Sequence, residues 1–442
     1  MTFFRSRSSG QNGAPQGGAR SGLVTVLDVG STKISCVIAQ LKPRGESAVL
    51  PGRTHHVEVM GIGHQRSRGV KSGVIVDLDA AEQSIRLAVD AAERMAGVTV
   101  ESLIVNMSAG RLKSESFAAG INLGGHDVDD SDINRVLAAG AKQSMAAERQ
   151  VVHSLPVSFT LDAERGIADP RGMFGEQLGV DMHVLTADAA PLRNLELCIN
   201  RAHLNVEMIV ATPYASGLSA LVEDEAEMGA ACIDIGGGTT TIAIFNENKF
   251  VYADAIAVGG NHITMDIARG LSTRLDEAER LKVKLGSALP SAADERDMLS
   301  IAPIGEEEGE IANQVPRAVL TRIIRARVEE TLELVRDRLN QSGYGQAIGK
   351  RIILTGGGSQ LQGLPEVARR ILARNVRVGR PLGVSGLPEA ARGPAFSATA
   401  GLLIYPQVAE FEISAARFSA KHKATGTGGR IARMGNWLRE SL

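Results

Sequence analysis

Apolar and polar positions fall into one pattern twice along this chain. Val24-Thr25-Val26-Leu27-Asp28-Val29-Gly30-Ser31-Thr32-Lys33-Ile34-Ser35-Cys36-Val37-Ile38 is an apolar run that meets an aspartate, a turn of glycine and hydroxyls, and a second apolar run. Ala231-Cys232-Ile233-Asp234-Ile235-Gly236-Gly237-Gly238-Thr239-Thr240-Thr241-Ile242-Ala243-Ile244-Phe245 repeats it. Each predicts two antiparallel strands joined by a tight hairpin. A third stretch, Ile352-Ile353-Leu354-Thr355-Gly356-Gly357-Gly358-Ser359, predicts a strand ending in glycines, followed by a helical pattern over 364–372. Successive glycines let backbone N–H groups approach an anion with no Cβ in the way. An aspartate at a strand end can hold a hydrated divalent cation beside that anion. Taken singly, each motif also reads as an ordinary hairpin whose glycines serve only the turn.

Between these stretches the periodicity switches repeatedly. Alternation over 57–63 predicts a strand, and glycines at 69 and 73 mark a loop into a short strand. Asp79 is the expected cap of a helix reaching about Met95, with Ile85, Val89 and Ala92 on one face. A buried strand covers 103–107. From 108 to 186 the aspartate–glycine pattern is absent. There the spacing predicts a helix over 130–145, capped by Asp129 or Ser131, strands at 151–160 and 182–185, and a loop over 162–179. A helix over 190–202 turns Leu192, Leu195, Cys198 and Ile199 inward, and a strand covers 206–211. Two stretches rich in small residues, 213–221 and 397–403, predict helices able to cross closely. Further helices are expected over 263–271, 276–285 and 316–339, the last with Val319, Ile323, Val328, Leu332 and Val335 inward.

At 442 residues and 44% hydrophobic content the chain is expected to build two or more cores. A net charge of −2 argues against broad electrostatic capture of nucleic acid. Cys36, Cys198 and Cys232 sit in apolar segments without metal-ligand spacing and read as buried side chains in a reducing compartment. His153 and His183 likewise have no partner at metal spacing. No apolar run is long enough to span a bilayer. Residues 1–21 lack the apolar core of a signal peptide and read as a disordered tail.

Two Asp-x-Gly hairpins and a late Thr-Gly-Gly-Gly resemble the actin, sugar-kinase and chaperone ATPase superfamily. Within it, Ser67-Arg68-Gly69-Val70-Lys71-Ser72-Gly73-Val74-Ile75-Val76-Asp77 and Val151-Val152-His153-Ser154-Leu155-Pro156 resemble FtsA, the family of bacterial division actins. The resemblance covers nearly the whole chain except the amino-terminal tail and the acidic run 306–310. It implies an α/β fold, two actin-like domains around a nucleotide cleft. Domain 1 (1A) would comprise 22–108 and 187–222, with an inserted α+β subdomain 1C at 109–186. Domain 2 (2A) would comprise 223–258 and 328–406, with subdomain 2B at 259–327. The two small-residue helices would cross beneath the cleft as a hinge.

The same resemblance implies ATP with Mg²⁺ as cofactors. Asp28, Gly30, Ser31 and Thr32 would face the phosphates from one side, and Asp234, Gly236, Gly237, Gly238 and Thr239 from the other, with Lys33 either offsetting their charge or equally well pointing to solvent. Asp28 and Asp234 would organise Mg²⁺ through water, and Gly356, Gly357 and Gly358 would lie against adenosine. Chaperone relatives carry a carboxylate just before the proline of the first connecting helix. Thr212 stands there in this chain, which implies weak or slow ATPase activity at most, with no catalytic residue assigned. Subdomain 2B would bind the acidic carboxyl-terminal tail of FtsZ, with Arg317, Arg322 and Arg325 as contacts, although such arginines also serve simply to keep a helix soluble. Self-association through 1C and domain 2, and contact with later division proteins, would follow.

After residue 406 the composition becomes that of a flexible linker, 407–429. Residues 430–442 regain helical spacing. At about 100° per residue, Ile431, Met434, Trp437, Leu438 and Leu442 fall within an arc of roughly 140°. Arg433 and Arg439 flank that arc, where their stems can reach lipid headgroups. With this helix, the resemblance implies a protein peripheral to the cytoplasmic face of the inner membrane, anchoring FtsZ filaments of the Z-ring at the division septum. A pilus-assembly adaptor resembling PilM and a small-molecule kinase are the alternatives. The terminal helix favours the division protein over the first. The second would need an acidic base for a sugar hydroxyl, which the sequence does not clearly offer.

Overall fold

In the computed structural model, which describes residues 22–43, 53–108, 111–143, 149–302, 304 and 313–409, two sheets lie on either side of a pair of crossing helices. The expected tail 1–21, the acidic run 306–310, the linker beyond 409 and the terminal helix 430–442 lie outside the described residues.

Domain 1 opens with β1 (Gly22–Val29), β2 (Lys33–Pro43) and β3 (His55–Arg66), then a short hairpin, β4 (Val70–Lys71) and β5 (Val74–Ile75). Helix α1 (Leu78–Ala96) and β6 (Ser102–Met107) follow. The cap of α1 is Asp77, not Asp79: Asp77 Oδ1 accepts from the N–H groups of Asp79 and Ala80, and its extended backbone suits a cap. The helix packs tightly on β3 because glycines stand beneath it. A Cβ at Gly63 would lie 1.7 Å from the Ala88 carbonyl oxygen, and one at Gly61 would lie 2.3 Å from that of Ala92.

The insertion comprises β7 (Lys113–Asp127), α2 (Asp130–Gln143), β8 (Arg149–Leu161), β9 (Glu164–Ile167) and β10 (Phe174–Asp188). Its sheet has the order β7-β10-β8-β9, with α2 packed on one face. Asp129 is the residue at the start of α2 that bonds inward, accepting from the Asp132 N–H at 2.9 Å. The loop expected over 162–179 is largely strand: Asp162, at φ +54°, turns the chain into β9, and β10 begins at Phe174. Arg149 ties the two stems of the insertion together, bonding Asp188 Oδ1 at 2.6 Å and the Arg111 carbonyl oxygen at 2.6 Å.

Helix α3 (Ala189–Arg201), with Leu192, Leu195, Cys198 and Ile199 buried, and β11 (Asn205–Ala211) complete domain 1. The chain then enters α4 (Thr212–Ala220) and the short α5 (Glu223–Met228). Domain 2 is built on β12 (Ala230–Ile235), β13 (Thr240–Asn246) and β14 (Lys249–Ile256). Helices α6 (Gly260–Gly270) and α7 (Leu275–Leu285), the hairpin β15 (Met298–Ile301) and β16 (Asn313–Pro316), and α8 (Arg317–Gln341) follow. Helix α8 passes the expected 327/328 boundary without a break. It buries Leu320, Ile324, Val328, Leu332 and Val335, while Val319 and Ile323 are only half-buried, so the inward stripe is rotated from that expected. Next come β17 (Arg351–Thr355), α9 (Leu364–Leu372), β18 (Asn375–Val378), β19 (Val384–Ser385) and α10 (Ser397–Ile404).

The large sheets have the orders β11-β6-β1-β2-β3-β19 and β14-β13-β12-β17-β18. Helices α4 and α10 cross between them. Gly401 makes that crossing close, since a Cβ there would lie 1.7 Å from the Ala215 carbonyl oxygen. The two helices exchange sides. Helix α4 leaves the sheet of domain 1 and packs on β12, β13 and β14, whereas α10 leaves domain 2 and packs on β1, β2 and β6. The apolar cluster around them therefore holds Val26 and Val37 of one sheet with Cys232, Ala243 and Ile353 of the other.

Candidate functional site

Two hairpin turns face each other where the sheets converge. In each, the first glycine closes its own turn: Gly30 N–H donates to the Lys33 carbonyl oxygen at 3.0 Å, and Gly236 N–H to that of Thr239 at 2.8 Å. These two N–H groups, expected as anion donors, are thus consumed within the turns, which leaves such contacts to the residues after them. The turns touch across the cleft. A Cβ at Gly237 would lie 2.5 Å from Thr32 Cγ2, and one at Gly238 would lie 2.5 Å from Ser31 Oγ. Close approach, not backbone conformation, is what calls for glycine at both positions.

Asp28 and Asp234 end the first strand of each hairpin, and both are buried. Asp28 Oδ1 accepts from Asn106 Nδ2 at 2.8 Å, and Oδ2 from Thr399 Oγ1 at 2.7 Å. Lys33 Nζ stands 3.3 Å from the same Oδ2 and 3.7 Å from the centre of the Phe396 ring, so it points into the cleft and not to solvent. Asp234 Oδ2 accepts from Ser216 Oγ of α4. Burial pushes the Asp234 carboxyl up to about 6, an effect reduced by the Ser216 bond and increased by the charge of Asp28.

Gly356 seals the floor. Its φ is +81°, and a Cβ would stand 2.2 Å from Asp234 Oδ1 and 2.6 Å from the Ile235 carbonyl oxygen. Gly357 shares the cleft wall, but Gly358 does not: it turns toward the Ile235 side chain, 2.4 Å from where its Cβ would be. Of the expected cofactor-facing residues, Gly358 alone is absent from the lining of a cleft of about 660 Å³, a figure that counts its open mouth.

Asn106, Ser216 and Thr399 were not singled out by sequence reasoning. Asn106 is a polar residue directly after the apolar run Leu103-Ile104-Val105 of its strand. Its Oδ1 accepts the Val29 N–H at 2.6 Å, while Nδ2 reaches Thr212 Oγ1 at 3.2 Å as well as Asp28. A buried amide at a strand end was the available signal. Ser216 and Thr399 lie in the small-residue helices, where a hydroxyl is easily read as packing.

The cleft fits a hydrated cation with an anion. Its described carboxylates are those of Asp28 and Asp234, its cation is Lys33, and neutral hydroxyl and glycine positions make up most of the remainder. Mg²⁺ keeps most of its water and takes one or two carboxylates in such sites. Among the described residues no group of three or more metal-ligating side chains occurs.

The other expected sites are less concentrated. Arg317 is committed to the protein body, bonding the Leu285 carbonyl oxygen at 2.9 Å and lying 3.4 Å from Asp297 Oδ2. Arg325 pairs with Glu329 at 2.9 Å, and Arg322 is exposed. Ile431, Arg433, Met434, Trp437, Leu438, Arg439 and Leu442 lie outside the described residues. Among the described residues no helix is long and apolar enough to cross a membrane. The three cysteines are buried, and burial raises each thiol pKa, that of Cys198 to about 11.

Residues 231–401 match the family model "Cell division protein FtsA", and residues 109–186 match "SHS2 domain inserted in FTSA". A cell division protein FtsA of Rhizobium meliloti (strain 1021) is 64% identical over 96% of this chain and 96% of its own length. The chain belongs to the FtsA family. Another FtsA, from Agrobacterium fabrum (strain C58 / ATCC 33970), is 62% identical over the full length of both chains. The SHS2 domain of this FtsA-family chain is the β7–β10 insertion with α2. A solved PilM–PilN type IV pilus biogenesis complex is similar at a TM-score of 0.58 and 16% identity, covering 86% of this chain and 98% of that one. That likeness is one of fold, and the fold is actin-like.

Proposed function

We propose that this cell-division protein binds ATP with Mg²⁺ between its two hairpins, self-assembles, and ties FtsZ filaments to the cytoplasmic face of the inner membrane at the septum. The observation that carries the reading is the pair of buried aspartates at matching strand ends, each held by a hydroxyl from a crossing helix. Bound Mg²⁺ would supply charge neutralisation for the phosphates. Asp28 and Asp234 would orient its water shell, Lys33 would offset further negative charge, and the Gly237–Thr239 turn would press against the anion from domain 2. Thr212 and Asn106 supply no carboxylate beside Asp28, which supports a nucleotide that is held rather than rapidly turned over.

Exposed Arg322, with Arg325 beside it, is the better-placed part of the proposed contact with the acidic FtsZ tail, since Arg317 is already engaged. The anchor is the amphipathic stretch 430–442, supported by its sequence pattern. Co-sedimentation of the full chain with lipid vesicles, with and without ATP, Mg²⁺ and FtsZ, tests the reading. FtsZ is expected in the vesicle pellet only when this protein is present. Failure to recruit it would overturn the adaptor role.

A further inference from the structure

Subdomain 1C is inserted in domain 1, yet its sheet is hydrogen-bonded to domain 2. His183 of β10 is 1% exposed. Its Nδ1 donates to the Phe250 carbonyl oxygen of β14 at 2.9 Å. Its Nε2 then accepts from Ser114 Oγ of β7, and Ser114 Oγ accepts from the Ala253 N–H of β14 at 3.2 Å. The His183 ring also meets the Phe250 ring edge-on, with centroids 4.9 Å apart. Burial pushes the imidazole pKa down to about 4, so near neutral pH the ring keeps one donor and one acceptor. Both nitrogens are thereby spent on a single closed circuit through two strands of 1C and one of domain 2.

Strand β14 runs from this circuit to the glycine turn. From Phe250 to Ile256 it covers about 20 Å at about 3.4 Å per residue. It pairs along its length with β13, which leaves that turn. Just beyond it, Gly260 N–H donates to the Gly236 carbonyl oxygen at 2.9 Å, and Asn261 N–H to that of Gly237 at 2.7 Å. Gly259 is pressed against the turn, with its Cβ position 2.5 Å from the Gly236 oxygen. The far side of the turn touches Thr32 and Ser31 of domain 1. A hydrogen-bonded strand is stiff, and packed elements tend to shift between discrete arrangements instead of deforming smoothly.

We propose that His183 latches 1C to β14, so that the seating of 1C and the setting of the Gly236–Gly238 turn form one coupled state. Whatever draws 1C from β14 then loosens the cleft, and a ligand that fixes the turn holds 1C seated, because coupling between sites is reciprocal.

The test is amide hydrogen exchange on the full-length protein without nucleotide. His183→Phe keeps a ring against Phe250 and loses both hydrogen bonds, while His183→Gln retains a donor and an acceptor. His183→Phe is expected to speed exchange about tenfold at Ala253 and also at Gly236, Gly260 and Asn261, with His183→Gln lying nearer wild type. Acceleration confined to 1C and residues 250–253 overturns the proposal. Should His183→Phe fail to fold, Ser114→Ala, which removes the bond to Ala253, is read in the same way. A second arm rests on the nucleotide reading above: Mg–ATP affinity should fall about tenfold in His183→Phe, and unchanged affinity counts against the coupling. A wild-type protein that binds no ATP would refute the nucleotide reading and leave the exchange arm to decide the latch.

Discussion

Thr399 and Asp28 stand 371 positions apart in the chain, and Thr399 Oγ1 donates to Asp28 Oδ2 at 2.7 Å. Ser216 of the other crossing helix does the same for Asp234. Each cleft aspartate is thus held from below by the helix that arrives from the opposite domain. Thr399→Val preserves shape and removes the donor. It should cost about 1.5–3 kcal/mol, the range for a hydrogen bond to a charged group, measured by urea unfolding. An unchanged midpoint would mean that water replaces the hydroxyl.

Asp234 couples stability to pH. Its carboxyl is raised to about 6 in the fold, above its ordinary value of 3.8. The folded protein therefore binds the proton more tightly than the unfolded chain. The associated stabilisation is complete below about pH 4 and is lost as pH rises through 6. Without ligand, Asp234→Asn should gain up to about 3 kcal/mol at pH 7, seen as a higher Tm, and should lose Mg²⁺-dependent ATP binding. Wild-type Mg–ATP affinity should itself fall about tenfold per pH unit below 6.

Two left-handed glycines make a controlled pair. Gly97, at φ +68° after α1, has nothing within 4 Å of its Cβ position, whereas Gly356, at φ +81°, faces Asp234 Oδ1 at 2.2 Å. Gly97→Ala should cost about 1 kcal/mol from backbone conformation alone. Gly356→Ala should cost more and displace the aspartate, so ATP binding is lost along with stability. Isothermal titration alongside thermal melts separates the two.

The arginines should also part company. Arg317→Ala removes bonds to Leu285 and Asp297 and should lower Tm. Arg322→Glu should leave the unfolding free energy within about 0.5 kcal/mol of wild type and weaken binding of an acidic FtsZ-tail peptide in a salt-sensitive way. Equal peptide affinity at low salt would move the contact elsewhere.

Truncation after Gly429, or Trp437→Glu, should release the protein from vesicles while ATP binding persists. Burying five apolar side chains is worth roughly 7–12 kcal/mol gross, less the ordering of a helix marginal in water. Vesicle binding by assembled copies should therefore rise steeply with concentration. Full binding by the truncated chain would refute the anchor.

The hairpins at Asp28 and Asp234 were legible because glycine and hydroxyl turns interrupt long apolar runs, and few other local structures produce that punctuation. Strand β7 was not. It carries Ser114, Ser116, Ala118, Gly120 and Asn122 on one face, small and polar residues with little strand preference. Its strand state comes from pairing with β10 along nearly its whole length. The stretch 162–179 misled for a related reason. Asp169, Pro170 and Gly172 do mark a turn, but β9 before it is short and polar, and the first part of β10 after it is broken up by Gly175, Glu176, Gln177 and Gly179. Within the site, the carboxylates were legible and their supports were not. Asn106, Ser216 and Thr399 acquire meaning only when separate chain segments meet: Asn106 reaches Asp28 across 78 positions, Thr399 reaches it across 371, and Ser216 reaches Asp234 across 18.

The exchange of sides by α4 and α10 has a consequence for how the molecule comes apart. A chain severed near residue 222 would leave the first piece without β19 and α10, which cover its own sheet, and the second without α4, which fills the underside of the other. Neither piece contains the whole of its own core. Two halves that look independent around the cleft are in this respect interlocked, so heating should melt them together in one cooperative transition. Severed fragments should acquire native structure only on mixing.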